Sequence, residues 1–337
     1  MIKYNAAAMT LVLAACGSSA ESTEMPATDT ASGTETTTAV AAEGAAATAD
    51  TPAKQEAAAP AGPTLAFELD GFSTPESVLY DAERDVYLVS NIEGSPLDKD
   101  KKGFISEVSP DGTVTNLRWI EGGKNGVALS APKGMGISGP NLFVTDIDTV
   151  RVFERATGKA VASVKVPGAT FLNDTAVAPD GTVYVSDTGM KAGKEGFEPA
   201  GVDAVYKLAS KGKTWKAERL TPKGADLGHP NGLLANAEGV WAVTFGAAEM
   251  YRIAEDGTKT DVVMFPNGSL DGVVTDAAGN VYVSSWAEKG VYRKTPASEF
   301  KLVISNVESP ADIGFDSKRN RILIPVFMGN KIQAYAL

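Results

Sequence analysis

One short phrase recurs six times along this chain, and a sixfold internal repeat constrains the possible folds more than any other property of the sequence. Each phrase has a small or polar pair, alternating apolar residues, a polar turn, and a second apolar run. The copies are PESVLYDAERDVYLVSN from Pro75, PKGMGISGPNLFVTD from Pro132, NDTAVAPDGTVYVSD from Asn173, PNGLLANAEGVWAVTF from Pro230, LDGVVTDAAGNVYVSS from Leu270 and PADIGFDSKRNRILIPVF from Pro310. Aligned on the second residue, they mark Glu76, Lys133, Asp174, Asn231, Asp271 and Ala311, at spacings of roughly 40 or 57 residues. A unit of this size is one small antiparallel sheet, which cannot bury its faces alone and must stack on neighbours. Six units predict an all-β, six-bladed β-propeller in which the marked residue opens the innermost strand of each blade and faces a central channel.

From residue 64 onward, β-branched and aromatic residues recur at alternate positions with no sustained helical period. Asp111-Gly112, Asp180-Gly181, Asp256-Gly257 and Gly279-Asn280 stand between apolar runs, where hairpins need positive φ. The last repeat offers three strands, 311–315, 321–327 and 331–336, and a spare strand, 64–69, precedes the first repeat. That spare strand is expected to complete the last blade, close the ring and remove an exposed edge. Two repeats are longer than the others through polar loops at 93–103 and 189–202. Both loops follow the second strand of a blade and are expected to overhang the channel mouth as lids.

Lys3, the apolar run ending in Leu11-Val12-Leu13-Ala14-Ala15, and Cys16-Gly17-Ser18 read as a bacterial lipoprotein signal over residues 1–15, too short to span a bilayer. Cys16, the only cysteine, is the expected lipidation site; an ordinary signal peptide cut nearby is the alternative. Residues 16–63, rich in Ala, Thr, Ser, Glu, Pro and Gly, cannot bury enough apolar surface to offset the entropy of ordering and read as a disordered tether, leaving 64–337 as the propeller. The expected location is the cell envelope, as an outer-membrane lipoprotein facing the periplasm or the surface. A net charge of −11 with no basic stripe argues against nucleic acid as a partner. A monomer held to the membrane by its lipid and acting on a small molecule is the expectation.

Glu76, Asp174, Asn231 and Asp271 are hard oxygen donors, the kind that Ca²⁺ takes from carboxylates and amides. Any one of them alone reads as a turn-forming residue; four in one ring read better as a site, because uncompensated carboxylates at close range repel. Lys133 puts a cation among them, either paired with Asp174 and Glu76 or competing with a metal. His229, the only histidine, stands two residues before Asn231 and reads either as an acid/base group or as a turn residue beside Pro230. Trp119, Trp215, Trp241 and Trp286 read as blade-packing or rim residues. Neither a GxSxG nor an HExxH motif is present.

The phrases PESV, FLND, HPNG and SLDG, the last followed by VTDAAGNVYV, resemble those of the regucalcin and gluconolactonase family, also called the senescence marker protein family, in order and spacing over roughly residues 70–335. The resemblance implies a divalent metal, usually calcium, on Glu76, Asn231 and Asp271, with Asn173 lining the substrate pocket. It also implies hydrolysis of small lactones or esters, with Asp271 serving as base as well. Phe171 stands where that family commonly has an arginine, which, together with Lys133, disfavours a polyhydroxylated sugar lactone. A non-catalytic propeller that binds a ligand or a protein, or one that serves in envelope assembly, is the alternative.

Overall fold

The computed structural model describes residues 62–337 except 195 and 213. The expectations for the secretion signal, Cys16 and most of the tether lie outside the described residues. The first strand among the described residues is β1 (Thr64–Asp70), and blade one follows as β2 (Pro75–Asp81), β3 (Val86–Asn91), β4 (Phe104–Ser109) and β5 (Thr113–Glu121). Blade two is β6 (Pro132–Ser138), β7 (Asn141–Asp146), β8 (Thr149–Glu154) and β9 (Ala160–Lys165). Blade three runs β10 (Leu172–Val177), β11 (Val183–Asp187), a separate hairpin of β12 (Met190–Gly193) and β13 (Gly196–Pro199), then β14 (Ala204–Lys211) and β15 (Thr214–Arg219). Blade four is β16 (Pro230–Asn236), β17 (Gly239–Thr244), β18 (Glu249–Ile253) and β19 (Lys259–Met264); blade five is β20 (Leu270–Thr275), β21 (Val281–Ser285), β22 (Gly290–Lys294) and β23 (Lys301–Ile304). Blade six is β24 (Gly314–Asp316), β25 (Arg321–Val326) and β26 (Lys331–Ala336), completed by β1.

The ring closes twice. On the outside, β1 pairs antiparallel with β26 from Thr64↔Ala336 to Asp70↔Lys331, covering an edge that would otherwise template aggregation. Inside, Ser77 of blade one bridges Asp312 of blade six in parallel, with Asp312 N donating to Glu76 O at 2.9 Å. Six apolar clusters fill the interfaces, each shared by two neighbouring blades: Phe143, Val150 and Val152 of blade two meet Val183, Val185 and Tyr206 of blade three, and Leu88, Ile105 and Ile120 of blade one meet Leu142, Val144 and Phe153 of blade two. Burying each such side chain contributes about 1.5–3 kcal/mol, so stability resides between blades, as the repeat requires.

Two details differ from the expectation drawn from the sequence. The segment expected as a loop at 189–202 contains the β12–β13 hairpin, with Met190↔Pro199 and Gly193↔Gly196 in register. In blade one, the connection 122–131 between β5 and β6 is long as well, so the extra length is divided between two sites.

Candidate functional site

Every inner strand that carries a polar slot bends at it. The pairing of inner with second strand slips between Pro75 and Ser77, Pro132 and Met135, Leu172 and Thr175, Pro230 and Leu233, and Leu270 and Val273. Such bulges turn one side chain out of the sheet plane, here toward the channel. Hydroxyls on the second strands pin them. Ser90, Ser186 and Ser284 accept from the backbone N–H of Ser77, Asp174 and Gly272 at 2.8–2.9 Å. Ser186 and Ser284 in turn donate to the carbonyls of Asn231 and Ala311 in the next blade at 2.6 and 2.8 Å. The recurring Ser or Thr near the end of the second strand was therefore a usable signal, and sequence reasoning passed over it.

The register corrects one slot. Leu172, not Asn173, is equivalent to Pro75, Pro132, Pro230 and Leu270, so the ring consists of Glu76, Lys133, Asn173, Asn231, Asp271 and Ala311. Asp174 lies one residue further along, level with Ser77, Gly134, Gly232, Gly272 and Asp312. Its oxygens accept the backbone N–H of Thr175 at 2.5 Å and of Leu233 at 2.6 Å, so both are already engaged. Space at this level is tight: a Cβ on Gly134 would collide with Asp174, and one on Gly272 with the Asp312 backbone, both inside 3.0 Å. Asp312, absent from the sequence-derived set, is buried and accepts a hydrogen bond from Ser77 Oγ.

Glu76, Asn231 and Asp271 are 5%, 3% and 3% exposed, and each has one buried oxygen without a hydrogen-bond partner: Glu76 Oε2, Asn231 Oδ1 and Asp271 Oδ1. An orphaned buried acceptor costs about 1–3 kcal/mol, and three on blades one, four and five call for a common explanation. Trp286 Nε1 donates to Asp271 Oδ2 at 2.7 Å, which leaves Oδ1 as the open atom and gives this tryptophan a place in the site that its composition did not reveal. The residues two before these slots are backbone outliers, Thr74, His229 and Ser269 with φ of 50, 61 and 51°, as is Ser309, two before Ala311, with φ of 47°. Left-handed non-glycine residues of this kind gather at functional sites. Among the described residues no three His, Cys, Asp or Glu side chains form a metal-ligand group; here the third donor is an amide.

Burial pushes the Glu76 carboxyl well above the usual range, the charges of Asp271 and Asp312 add to the shift, and Lys133 opposes it. Burial likewise raises Asp271 to about 8, with the Asp174 charge adding to it and the Trp286 N–H and the neighbouring Asn231 amide opposing it; Asp174 is raised to about 6, against its two backbone donors. Asp312 is raised by burial and then by the charge of Asp174. Carboxyls held this far from their ordinary state want either protons or a cation.

Lys133 is 1% exposed, and of the two roles expected for it, pairing with Asp174 and Glu76 is not observed. Its Nζ donates to the carbonyls of Pro96 and Ala131, both at 3.3 Å, and lies 4.4 Å from the centre of the Phe171 ring. Phe171 in turn meets Phe197 of β13 edge to face at 5.9 Å. Pro96 and Phe197 thus bring both long connections to the slot end of the channel. Asn173 Nδ2 donates to Thr188 Oγ1 at 3.1 Å. His229 is half-buried; its Nδ1 donates to Thr188 O at 2.9 Å, which fits the turn reading as well as the acid/base one.

A family model described as the SMP-30/gluconolactonase/LRE-like region matches residues 74–318. Among solved structures, a gluconolactonase from Xanthomonas campestris is similar with a TM-score of 0.58 at 20% identity, over 81% of this chain and 88% of that one. A luciferin-regenerating enzyme reaches 0.58 at 13% identity, over 82% and 96%. Virginiamycin B lyase from Staphylococcus aureus reaches 0.56 at 13%, over 80% and 98%. At such identities the likeness speaks for the fold alone. No protein of curated function matches the sequence.

Proposed function

The chain belongs to the SMP-30/gluconolactonase/LRE-like family, and from that premise we propose that it is a metal-dependent hydrolase of small lactones or esters, with calcium or another divalent cation on Glu76, Asn231 and Asp271. The observation that carries this reading is the trio of orphaned oxygens, one from each of these residues. Two carboxylates and an amide oxygen, with no soft ligand, suit a hard cation. When bound, such an ion polarises a substrate carbonyl and acidifies a water.

The protein's own groups account for the remainder. Trp286 holds Asp271 Oδ2 and so orients this carboxylate with Oδ1 toward the cation position; the same carboxylate would take the proton of an attacking water. The Asn173 amide, braced by Thr188, lines the pocket for the ligand's oxygens. The β12–β13 hairpin and the connection 92–103 cover the mouth and limit water. Metal titration by calorimetry, followed by an assay on γ-butyrolactone and p-nitrophenyl acetate with and without chelator, tests the reading. A protein that binds no divalent ion and opens neither compound leaves the second reading, a ligand-binding propeller, which the buried Lys133 favours. We further propose that Cys16 carries the lipid that fixes the protein to the envelope, with residues 16–63 as its tether.

A further inference from the structure

The second-blade slot holds a buried charge with nothing adequate to balance it. Among the described residues no carboxylate lies within 4.0 Å of Lys133 Nζ. The ammonium has three N–H donors, and its two carbonyl contacts, at 3.3 Å, exceed the usual N–H···O separation of about 2.9–3.0 Å. The Phe171 face adds a weak attraction. A buried cation is retained only when it is paired and hydrogen-bonded.

Burial lowers Lys133 from its ordinary range, and three carboxylates oppose this from a distance: Glu76, Asp146 and Asp187. Two are engaged elsewhere. Asp146 accepts from Ser130 N, Ala131 N and Arg151 Nε, and Asp187 accepts from the backbone N–H of Thr170, Phe171 and Gly189. Glu76 has the free oxygen, and on the hydrolase reading that oxygen faces a divalent ion. Lys133 then has no counter-charge of its own.

We propose that Lys133 is a specificity residue that binds a carboxylate of the ligand, so that the pocket accepts small lactones or esters carrying one carboxylate on an otherwise apolar body. A carboxylate oxygen on the third N–H would give the ammonium a charge-assisted bond of about 2.7–2.9 Å. One spare N–H suits one oxygen of a monoanion better than a phosphate, which calls for several donors. Phe171 and Phe197 present an apolar wall beside this position, a poor match for a polyol. Pro96 belongs to a connection without regular structure, the kind of segment that yields most readily to a ligand. The ester bond in this statement rests on the hydrolase activity; the carboxylate rests only on the cation site of that reading, which engages Glu76.

Binding is measured by calorimetry, in calcium and again in chelator, with tetrahydrofuran-2-carboxylate and its neutral counterpart tetrahydrofurfuryl alcohol, on wild type, Lys133→Met and Lys133→Arg. The wild type should bind the carboxylate at least about tenfold more tightly than the alcohol, a difference of about 1.4 kcal/mol. Lys133→Met should bring the two affinities within about twofold, and Lys133→Arg should keep part of the preference. Equal affinities in the wild type, or a preference that survives in Lys133→Met because the cation holds the carboxylate, would overturn the proposal. Should the Met variant fail to fold, the wild-type comparison still decides against the proposal if no preference appears, and a preference retained in Lys133→Arg supports it. In a parallel assay, the wild-type kcat/KM ratio for 5-oxotetrahydrofuran-2-carboxylate over γ-butyrolactone should be about ten or more and fall toward one in Lys133→Met. If neither lactone is opened, the hydrolase reading has failed while the binding result still decides this one.

Discussion

Replacing Glu76 with Gln separates a ligand-binding carboxylate from a structural one by the sign of its effect. If Glu76 existed mainly to balance Lys133, removing its charge would strand a buried ammonium and cost about 3–5 kcal/mol. The geometry argues otherwise, since among the described residues no carboxylate lies within ion-pair range of Lys133 and burial already holds Glu76 toward its neutral form. A glutamine there is nearly isosteric with that form, and its NH₂ adds a donor to a cluster that holds orphaned acceptors. Satisfying one such acceptor recovers about 1 kcal/mol, or a rise of about 2–4 °C in the melting temperature of a domain this large. The calcium response should move the other way. At a concentration one hundred times Kd, a bound ion stabilises the wild type by about 2.7 kcal/mol, roughly 5–10 °C, and Glu76→Gln should lose nearly all of it. Differential scanning calorimetry at pH 7, in chelator and in calcium, reads all four values. A chelated Glu76→Gln protein that melts more than about 6 °C below the chelated wild type would refute the assignment, as would a variant that keeps the full calcium shift.

Four other outcomes follow from the same structure. Truncation up to residue 60 should leave the melting temperature unchanged, whereas removal through Asp70 takes away the β1–β26 pairing and the Phe67–Tyr87 stack and should lower it by more than about 10 °C; equal values would deny the clasp. Gly134→Ala should cost about 1–3 kcal/mol or more, because its Cβ would run into Asp174, and a neutral result by denaturant titration would mean that the inner strands can spread. In chelator, the folded state with Asp174 raised to about 6 and Asp271 to about 8 holds more protons than the unfolded chain between about pH 4 and 8. Its stability should therefore decline as pH climbs through that window, and denaturant midpoints that rise instead would count against the buried carboxyl cluster. Cys16→Ala should move the protein from the membrane to the soluble fraction on cell fractionation; an unchanged distribution would exclude the lipid anchor.

Much of this was legible in the chain because each phrase carries its own turn and its own apolar alternation, and six copies leave few ways to stack. The same repetition put Glu76, Asn231 and Asp271 at ring slots, whereas their grouping as ligands came from the family resemblance. Blade three misled because its Asn-Asp pair looks like the opening of a phrase, whereas Leu172 holds the position that proline takes in blades one, two and four. Asp312 was hidden by Ala311: only the bulge register shows that the sixth blade presents its carboxylate one residue late, level with Asp174. The Lys133–Phe171 contact was beyond reach for another reason, since it joins two blades through connections whose course depends on the closed ring.

The two strands that form the clasp stand at opposite ends of the domain. A chain delivered N-terminus first, from a ribosome or through a translocation pore, presents β1 well before any partner for it exists. Blades one to five can assemble in order as they emerge, but β1 must stay unpaired until β26, the last strand of the domain, has also emerged. Joining ends so distant in sequence is intrinsically slow. Closure of the ring is thus tied to completion of delivery, and an interrupted chain remains an open arc with an unpaired first strand, the form a protease or holdase would meet.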